Sequence, residues 1–364
     1  MTIRTDIAPT GPVATSDEVT FRYPDPDGRL LGVRLSQQVR IPGGQLDFTR
    51  ADGGWDLRLP RPPVWRLEYR LELEHPDGGR DEVCDPANPL RAPGAFGEKS
   101  VLEFPDYQRP AWKDGPVVPG ADTEIRVPSR YLQSEVYVRL WAPADAGPTE
   151  RLPLLVAHDG PEYDDLSSLT TYAAAMVKAG RLPRHRIALL GPGQRDEWYT
   201  ARISYARALA LAVVPTIRRR VAVVGPVVGM GASLGGLAAL HAQRRHPGLF
   251  GGLFLQSGSF FDRRLDPQER GFGRYGRITR FVADTRRGTL KAEPVPATLT
   301  CGELEENLGN NRDMATTLHH QGYRVGFVEL PDVHNYVAWR DAFDPHLTGL
   351  LVEVWGPGVL DPGR

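Results

Sequence analysis

The sequence predicts an α/β fold in which a mostly parallel sheet is flanked by helices and preceded by a small β-sandwich domain. The length of 364 residues favours two domains, because a globular domain commonly holds about 150 residues. Before residue 110, alternating runs such as "WRLEYRLELE" suit strands with one solvated face. Further along, apolar runs such as "LPLLVAHDG" alternate with helical segments, a pattern typical of a parallel sheet covered on both faces.

The sandwich is predicted over residues 18–110, where short β-like runs are separated by turn residues. "EVTFRY" is followed by the turn "PDPDG". A "DGG" turn precedes "WDLRLP", and another lies shortly after "WRLEYRLELEH". Regular spacing of such runs is typical of a small sandwich. Residues 1–17 lack an apolar stretch of the kind a secretory signal needs, so we expect them to form a terminal tail.

The second domain is predicted over residues 124–356, after a Pro- and Gly-rich linker at 111–123 and before a short tail at 357–364. It is predicted to begin with an antiparallel pair of strands in "EIRVPSRYLQSEVYVRLWAP", after which strands alternate with helical segments. These later strands are "LPLLVAHDG", "RIALLGPG", "VVGMG", "GGLFLQSG", "PATLTCGELE" and "RVGFVEL".

Composition argues against several function classes. The formal net charge is −1, which gives no indication of a nucleic-acid or membrane-surface partner. No 18-residue apolar run suggests a membrane span. Cys84 and Cys301 lie far apart, so we expect no disulfide and a cytoplasmic location. The oligomeric state is left open by the sequence.

The stretch "GASLG", residues 231–235, matches the pattern G-x-S-x-G. An apolar strand precedes it and a helix-forming run follows it, which is the context of the nucleophile turn of α/β-hydrolases. We therefore interpret Ser233 as a nucleophile and the N–H group of Leu234 as an oxyanion donor. The alternative is a glycine-rich turn that binds phosphate, but the P-loop lysine is missing and the G-x-G-x-x-G spacing fails.

A serine nucleophile needs a base, which follows serine and acid along the chain in this fold. His334 comes after the last predicted strand, in a loop before the last helix, and is the predicted base. We interpret the other downstream histidines on helices as solvated residues: His241, His246, His319 and His320.

The acid is expected after the preceding strand, where "CGELEEN" offers three candidates. Glu303, Glu305 and Glu306 are nearly equivalent by position alone. Any one of the three can fix the tautomer of the His334 ring. A serine–histidine dyad without a strong acid is the alternative. Asp332 lies only two residues from His334 and is interpreted as a turn residue.

A second oxyanion donor is expected from the loop after "LLVAHDG". Pro161 has no N–H group, so Gly160 or Glu162 is the candidate. The "HD" pair at 158–159 has no further ligands at metal spacing. We therefore expect neither a metal nor an organic cofactor.

These motifs together resemble those of the enterochelin (enterobactin) esterases, siderophore trilactone hydrolases of the esterase D-like α/β-hydrolase superfamily. The resemblance extends over about residues 18 to 355. In the second domain it rests on "LLVAHDGPEY", "RDEWY", "GASLGG", "CGELEEN" and "HNYVAWRDAF"; in the first it rests on "VTFRYPDPDG" and "DPANPLRAPGAFGEKSVLEFP".

The resemblance implies roles for particular residues. Ser233 and His334 become nucleophile and base, and the family's acid, three positions after a glycine, corresponds to Glu305. The first domain is implied to be immunoglobulin-like and to help form the substrate cleft. "RDEWY" resembles an element near the family's active site. It makes Arg195, Glu197 and Trp198 candidates for substrate binding, with a structural salt bridge as the alternative for the two charged residues.

The expected function is that of a serine esterase acting on a small-molecule ester, in particular a trilactone siderophore, through an acyl-enzyme. Two alternatives remain open at this point. One is an acyltransferase or macrocyclising enzyme that uses the same triad with another nucleophile in place of water. The other is a non-catalytic protein that binds a carbohydrate or a partner.

Overall fold

The computed structural model describes residues 11–41, 43–289 and 293–356. The chain divides into two compact units. The N-terminal unit comprises Met1–Gln108 together with Pro331–Val337, and the C-terminal unit comprises Arg109–Leu330 and Ala338–Arg364. The assignment of residues 331–337 to the N-terminal unit was not predicted from the sequence.

The N-terminal unit contains two antiparallel sheets, which confirms the predicted sandwich. One has the strand order β1-β2-β5-β4; the other has the order β3-β6-β9-β8, with β7 paired to β6. Phe21 and Tyr69 pack edge to face in its core, with ring centroids 5.0 Å apart. The strands are β1 (Val13–Ala14), β2 (Glu18–Pro24), β3 (Gly32–Gln37), β4 (Thr49–Ala51), β5 (Gly54–Pro60), β6 (Arg66–Glu74), β7 (Arg80–Val83), β8 (Arg91–Ala92) and β9 (Lys99–Glu103).

Part of the N-terminal segment predicted as a tail forms a strand. Strand β1 pairs with β2 although it falls within the predicted tail, because the turn after it returns the chain onto Val19 and Thr20. Residues 1–10 and 357–364, where tails were also predicted, lie outside the described residues.

The C-terminal unit is built on an eight-stranded sheet of order β10-β11-β13-β12-β14-β15-β16-β17. Strands β10, β11 and β13 pair antiparallel, and all the other neighbours pair parallel. The predicted α/β-hydrolase fold is thereby confirmed. The strands are β10 (Gly120–Ser129), β11 (Ser134–Pro143), β12 (Leu154–Ala157), β13 (Arg186–Leu190), β14 (Val228–Ala232), β15 (Gly252–Gln256), β16 (Pro296–Gly302) and β17 (Arg324–Leu330).

Helices connect the parallel strands, which need a crossover connection of a dozen or more residues. None of the helices in the described ranges is long and apolar enough to cross a membrane, and the cytoplasmic location stays a prediction. The helices are α1 (Gly160–Ser167), α2 (Leu169–Lys178), α3 (Arg195–Trp198), α4 (Ile203–Ala208), α5 (Val214–Arg220), α6 (Leu234–Arg245), α7 (Tyr275–Arg286), α8 (Leu308–His320), α9 (Tyr336–Asp341) and α10 (Thr348–Trp355).

The segment predicted as a linker, 111–123, is more ordered than its composition suggested. It begins with a short 3₁₀ turn, Ala111–Asp114, and ends inside β10. The reason is the burial of Trp112, which is 5% exposed and lies edge-on to Tyr172 at 5.5 Å.

Gly160 allows the first turn of α1 to pack directly on β13. A Cβ atom at this position would lie 2.2 Å from the Cα atom and 2.5 Å from the carbonyl carbon of Leu189. Both are backbone atoms of a central strand, so neither can move aside by a rotamer change.

We expect Gly160→Ala to lower the free energy of unfolding by about 1–3 kcal/mol, the usual cost of overpacking. Gly276→Ala is the matched control, because Gly276 is also in the first turn of a helix but has nothing within 4 Å of its added Cβ. The control should raise the free energy of unfolding by up to about 1 kcal/mol, through helix propensity. Urea unfolding of both variants checks the prediction, and equal effects would contradict it.

Candidate active site

Ser233 occupies a strained turn between β14 and α6. Its backbone angles are φ 54° and ψ −123°, a region that costs about 1–3 kcal/mol for a residue other than glycine. Two backbone hydrogen bonds hold the turn: Ser233 N–H donates to Gln256 O (2.9 Å), and Ser259 N–H donates to Ser233 O (3.1 Å). The Ser233 hydroxyl lies 3.1 Å from that of Ser259. This is the geometry that the G-x-S-x-G pattern predicts.

The two glycines of the pattern are needed because the strand and the helix approach each other closely. A Cβ atom on Gly231 would lie 2.4 Å from the carbonyl carbon of Gly235. A Cβ atom on Gly235 would lie 3.1 Å from the Cβ atom of His158 and 3.4 Å from Oδ2 of Asp159. The start of α6 therefore packs against the loop that follows β12.

The two predicted oxyanion donors each begin a helix. Leu234 is the first residue of α6 and Gly160 is the first residue of α1. The N–H groups at the start of a helix have no carbonyl partner within it, and the helix dipole makes them suitable for an anion. The neighbouring N–H of Asp159 is engaged, since it donates to the Tyr199 hydroxyl at 3.2 Å. The roles of Leu234 and Gly160 stay predictions.

Glu305 is the glutamate that lies next to the chain leaving β15. Its Oε1 atom accepts hydrogen bonds from the Ser257 hydroxyl (2.6 Å) and from Gly302 N–H (2.8 Å). The Ser257 Oγ atom also accepts a hydrogen bond from the Trp339 indole at 3.0 Å. Glu303 and Glu306 are both exposed. The contacts thus favour Glu305 among the three candidates.

His334 lies four residues after β17, within the segment 331–337 of the N-terminal unit. It is half-buried. Asp332 forms the turn around it, because its Oδ1 atom accepts hydrogen bonds from Val333 N–H (2.8 Å) and from the Asn335 side chain (3.0 Å). Asp332 is therefore a turn residue, as interpreted from the sequence. The pairing of His334 with Ser233 stays a prediction.

His241 differs from the sequence-based interpretation. It was interpreted as a solvated helix residue, but it is 2% exposed and packs edge-on to Phe281 at 4.9 Å. Burial lowers the pKa of His241 to about 3. Burial likewise lowers the pKa of His158 to about 4, and its Nδ1–H donates to Met230 O at 2.9 Å. Both rings are neutral at physiological pH and are held in the core.

Arg195 and Glu197 form ion pairs, but not with each other. Arg195 donates three hydrogen bonds to Asp159, from Nε to Oδ1 at 2.9 Å and to Oδ2 at 3.0 Å, and from Nη2 to Oδ2 at 2.8 Å. Glu197 pairs with three arginines. The hydrogen bond from Arg277, reinforced by that from Arg274, lowers the pKa of Glu197. These contacts are structural, and the predicted substrate contacts of both residues stay predictions.

A cleft of about 630 Å³ lies beside this ion-pair cluster, lined by residues 194–197 and 271–274. Trp198, the third predicted substrate-binding residue, does not line it. Trp198 is 3% exposed and stacks on Tyr205, with ring centroids 6.0 Å apart. Its packing is that of a core residue, and its contact with a substrate stays a prediction.

Sequence reasoning missed several residues that hold the site together. Ser257 and Ser259 directly follow β15 in "LFLQSGSF", and their position after a parallel strand was a usable signal. Asp159 was noted only as half of a discounted metal pair, whereas it is the partner of Arg195. Trp339 contacts Ser257 although it lies 82 residues further along the chain. No local sequence pattern indicates this contact.

The chain is similar in sequence to known esterases. A family model described as "Putative esterase" matches residues 129–350. An iron(III) enterobactin esterase of Dickeya dadantii is 25% identical over 91% of this chain and 88% of its own length. A second, from Escherichia coli O6:H1, is 26% identical over 93% of this chain and 92% of its own. The resemblance predicted from the motifs is thereby confirmed.

Solved structures show the same fold. A ferric enterobactin esterase from Salmonella typhimurium superimposes with a TM-score of 0.77 at 20% identity, over 96% of both chains. An enterobactin esterase from Shigella flexneri, crystallised in the presence of enterobactin, gives 0.74 at 21% identity over 95% of this chain and 96% of its own. Because the family model covers more than half of the sequence, the chain belongs to the esterase family and is a carboxylic ester hydrolase.

Proposed function

We propose that this protein hydrolyses the ester bonds of a trilactone siderophore through Ser233, His334 and Glu305. The observation that carries the proposal is the strained turn of Ser233, since a backbone held at φ 54° serves to present a side chain rather than to stabilise the fold. The curated relatives named iron(III) enterobactin esterases support the substrate class.

The reaction would proceed in two halves. His334 takes the proton of the Ser233 hydroxyl while Oγ bonds to the ester carbonyl carbon, and the N–H groups of Leu234 and Gly160 stabilise the resulting oxyanion. Collapse breaks the C–O bond, and His334 returns the proton to the departing alcohol. Water then attacks the acyl-enzyme with His334 again as base, which releases the carboxylic acid and restores the Ser233 hydroxyl.

Strand register supports the pairing of Glu305 with His334. Gly302 at the end of β16 pairs with Leu330 at the end of β17. Glu305 follows Gly302 by three positions, and His334 follows Leu330 by four. The two loops therefore begin side by side, and a carboxylate fixed there suits the role of orienting the imidazole and stabilising its protonated form.

Guanidinium groups at the cleft suit an anionic substrate. Arg195, Arg202, Arg274 and Arg277 surround the carboxylates of Asp159 and Glu197. Arg195 and Arg274 line the cleft, together with the carboxylates of Asp196 and Glu197. Guanidinium groups in such a position can pair with anions such as catecholates. Asp159 also approaches the start of α6, as the crowding at Gly235 shows, so the cluster lies near the serine turn.

The first test incubates a catecholate trilactone, with and without iron, with wild-type protein and with Ser233→Ala and His334→Ala. We expect wild type to produce linear trimer, dimer or monomer, and each variant to lose about 10⁶-fold in kcat because nucleophile and base act as one unit. Mass spectrometry of the products is the measurement. Turnover of a simple aryl ester without turnover of the trilactone would refute the substrate class, and adducts with an added amine would indicate acyl transfer.

A second test distinguishes Glu305 from Glu303 as the acid. Glu305→Gln should lower kcat by about 10³–10⁴-fold, the loss seen when the acid of a triad becomes an amide. Glu303→Gln is the matched control, since it makes the same change two residues away on an exposed side chain, and it should leave kcat within about twofold. Hydrolysis of an aryl ester at pH 8 measures both. A larger loss with Glu303→Gln would reassign the acid.

A further inference from the structure

The segment Pro331–Val337, called the histidine loop below, is held by strands of the N-terminal unit at both of its ends. At its start, Pro331 O accepts a hydrogen bond from Trp65 N–H at 2.8 Å, just before β6. At its end, Val337 is 2% exposed and packs with Ala92 of β8 and Val101 of β9. His334, the proposed base, lies between these two anchors.

A buried carboxylate holds the middle of the loop. Asp332 is 2% exposed, and its Oδ1 atom binds Val333 N–H and the Asn335 side chain, the residues on either side of His334. Asn335 N–H also donates to Val333 O at 2.9 Å. A single carboxylate therefore binds the backbone before His334 and the side chain of the residue after it.

Asp332 is in turn held by Arg66, the first residue of β6. Oδ2 of Asp332 lies 3.9 Å from Nη1 of Arg66, and both side chains are almost fully buried. Arg66 donates from Nη2 to Glu68 at 3.2 Å and lies over the Tyr107 ring at 5.5 Å. Glu68 lies 3.7 Å from Nζ of Lys99. A row of alternating charges thus runs from β9 through β6 to the histidine loop.

Such a cluster is an inefficient way to stabilise a fold. Desolvating two charges roughly offsets their attraction, so a buried ion pair adds little stability compared with apolar residues of the same size. Its directional contacts do select one loop conformation over others. Removing one partner costs far more than the pair contributes, because the other charge remains buried. The arrangement therefore suits a role in positioning.

We propose that the N-terminal unit orients His334 for catalysis, with Asp332 and Arg66 as positioning residues. This inference rests on the proposed function, because it takes His334 as the base. A displacement of about 1 Å at a reacting group can cost about a hundredfold in rate without changing how substrate binds. The sandwich domain is then part of the catalytic apparatus even where none of its side chains touches the substrate.

The test compares Asp332→Ala with Asp85→Ala. Asp85 is the matched control because it is also 2% exposed, belongs to the same unit and accepts hydrogen bonds from Tyr69 Oη (2.6 Å) and Ala87 N–H (2.9 Å). Burial raises the pKa of Asp332 to about 7, against the attraction of Arg66, so assays at pH 8 keep its carboxylate mostly ionised. The probe is an aryl acetate, and a fluorophosphonate counts the active sites.

We expect Asp332→Ala to lower kcat per labelled site by about 10–100-fold with KM within about twofold of wild type. Asp85→Ala should lower stability but leave kcat per labelled site within about twofold. The active sites are counted because partial unfolding lowers the number of active sites but leaves kcat at each remaining site unchanged. Wild-type kcat per site in Asp332→Ala, or an equal loss in Asp85→Ala, would overturn the proposal.

Two further variants keep the test decisive if Asp332→Ala does not fold. Arg66→Met removes the cation and should lower kcat per site, whereas Arg66→Lys keeps a positive charge beside Asp332 and should lower it less. No difference between them would overturn the proposal. A failure of the proposed function is recognised separately, because His334→Ala would then hydrolyse the aryl acetate as fast as wild type.

Discussion

The close approach of β14 and α6 is the constraint on which the candidate site depends. The backbone of Gly235 comes so close to Gly231 that no Cβ atom fits there, and a Cβ atom on Gly235 would lie 3.1 Å from that of His158. The chain must then turn at Ser233 in a sparsely populated conformation. The same contact brings the start of α6 against the loop after β12, where α1 begins. A single packing contact therefore presents the hydroxyl and brings the first turns of two helices together.

Parallel strand pairing extends this arrangement sideways along the sheet. The Ser233 N–H group donates a hydrogen bond to the carbonyl of Gln256 at the end of β15. The hydroxyl of the next residue, Ser257, donates to the Glu305 carboxylate beyond β16. Ser257 has a φ of 47°, so it too is held in an uncommon conformation at the end of its strand. Trp339 donates to the same hydroxyl. The carboxylate is therefore fixed by Ser257, which Trp339 of α9 also contacts, as well as by the backbone of its own loop.

The parts of the site that could be predicted from the sequence are those encoded over short distances. A strand, a G-x-S-x-G turn and a helix are adjacent in the chain, and strand ends in a parallel sheet share one edge. The pairing of Arg195 with Asp159, 36 residues away, depends on which side chains meet across the fold. The interpretation of His241 was wrong because α6 is buried on nearly every side, so its helical periodicity did not indicate a solvated face.

The position of the histidine loop in the N-terminal unit could not be predicted from the sequence. Its residues follow β17 directly, and connectivity alone would assign them to the C-terminal unit. They belong instead with strands more than 200 positions earlier in the chain, through contacts that only a folded sandwich can make. A buried aspartate beside a buried arginine has a high cost in solvation, and a surface turn would avoid that cost. We therefore attribute the two buried charges near His334 to a requirement for one conformation of the histidine loop, and not to a gain in stability.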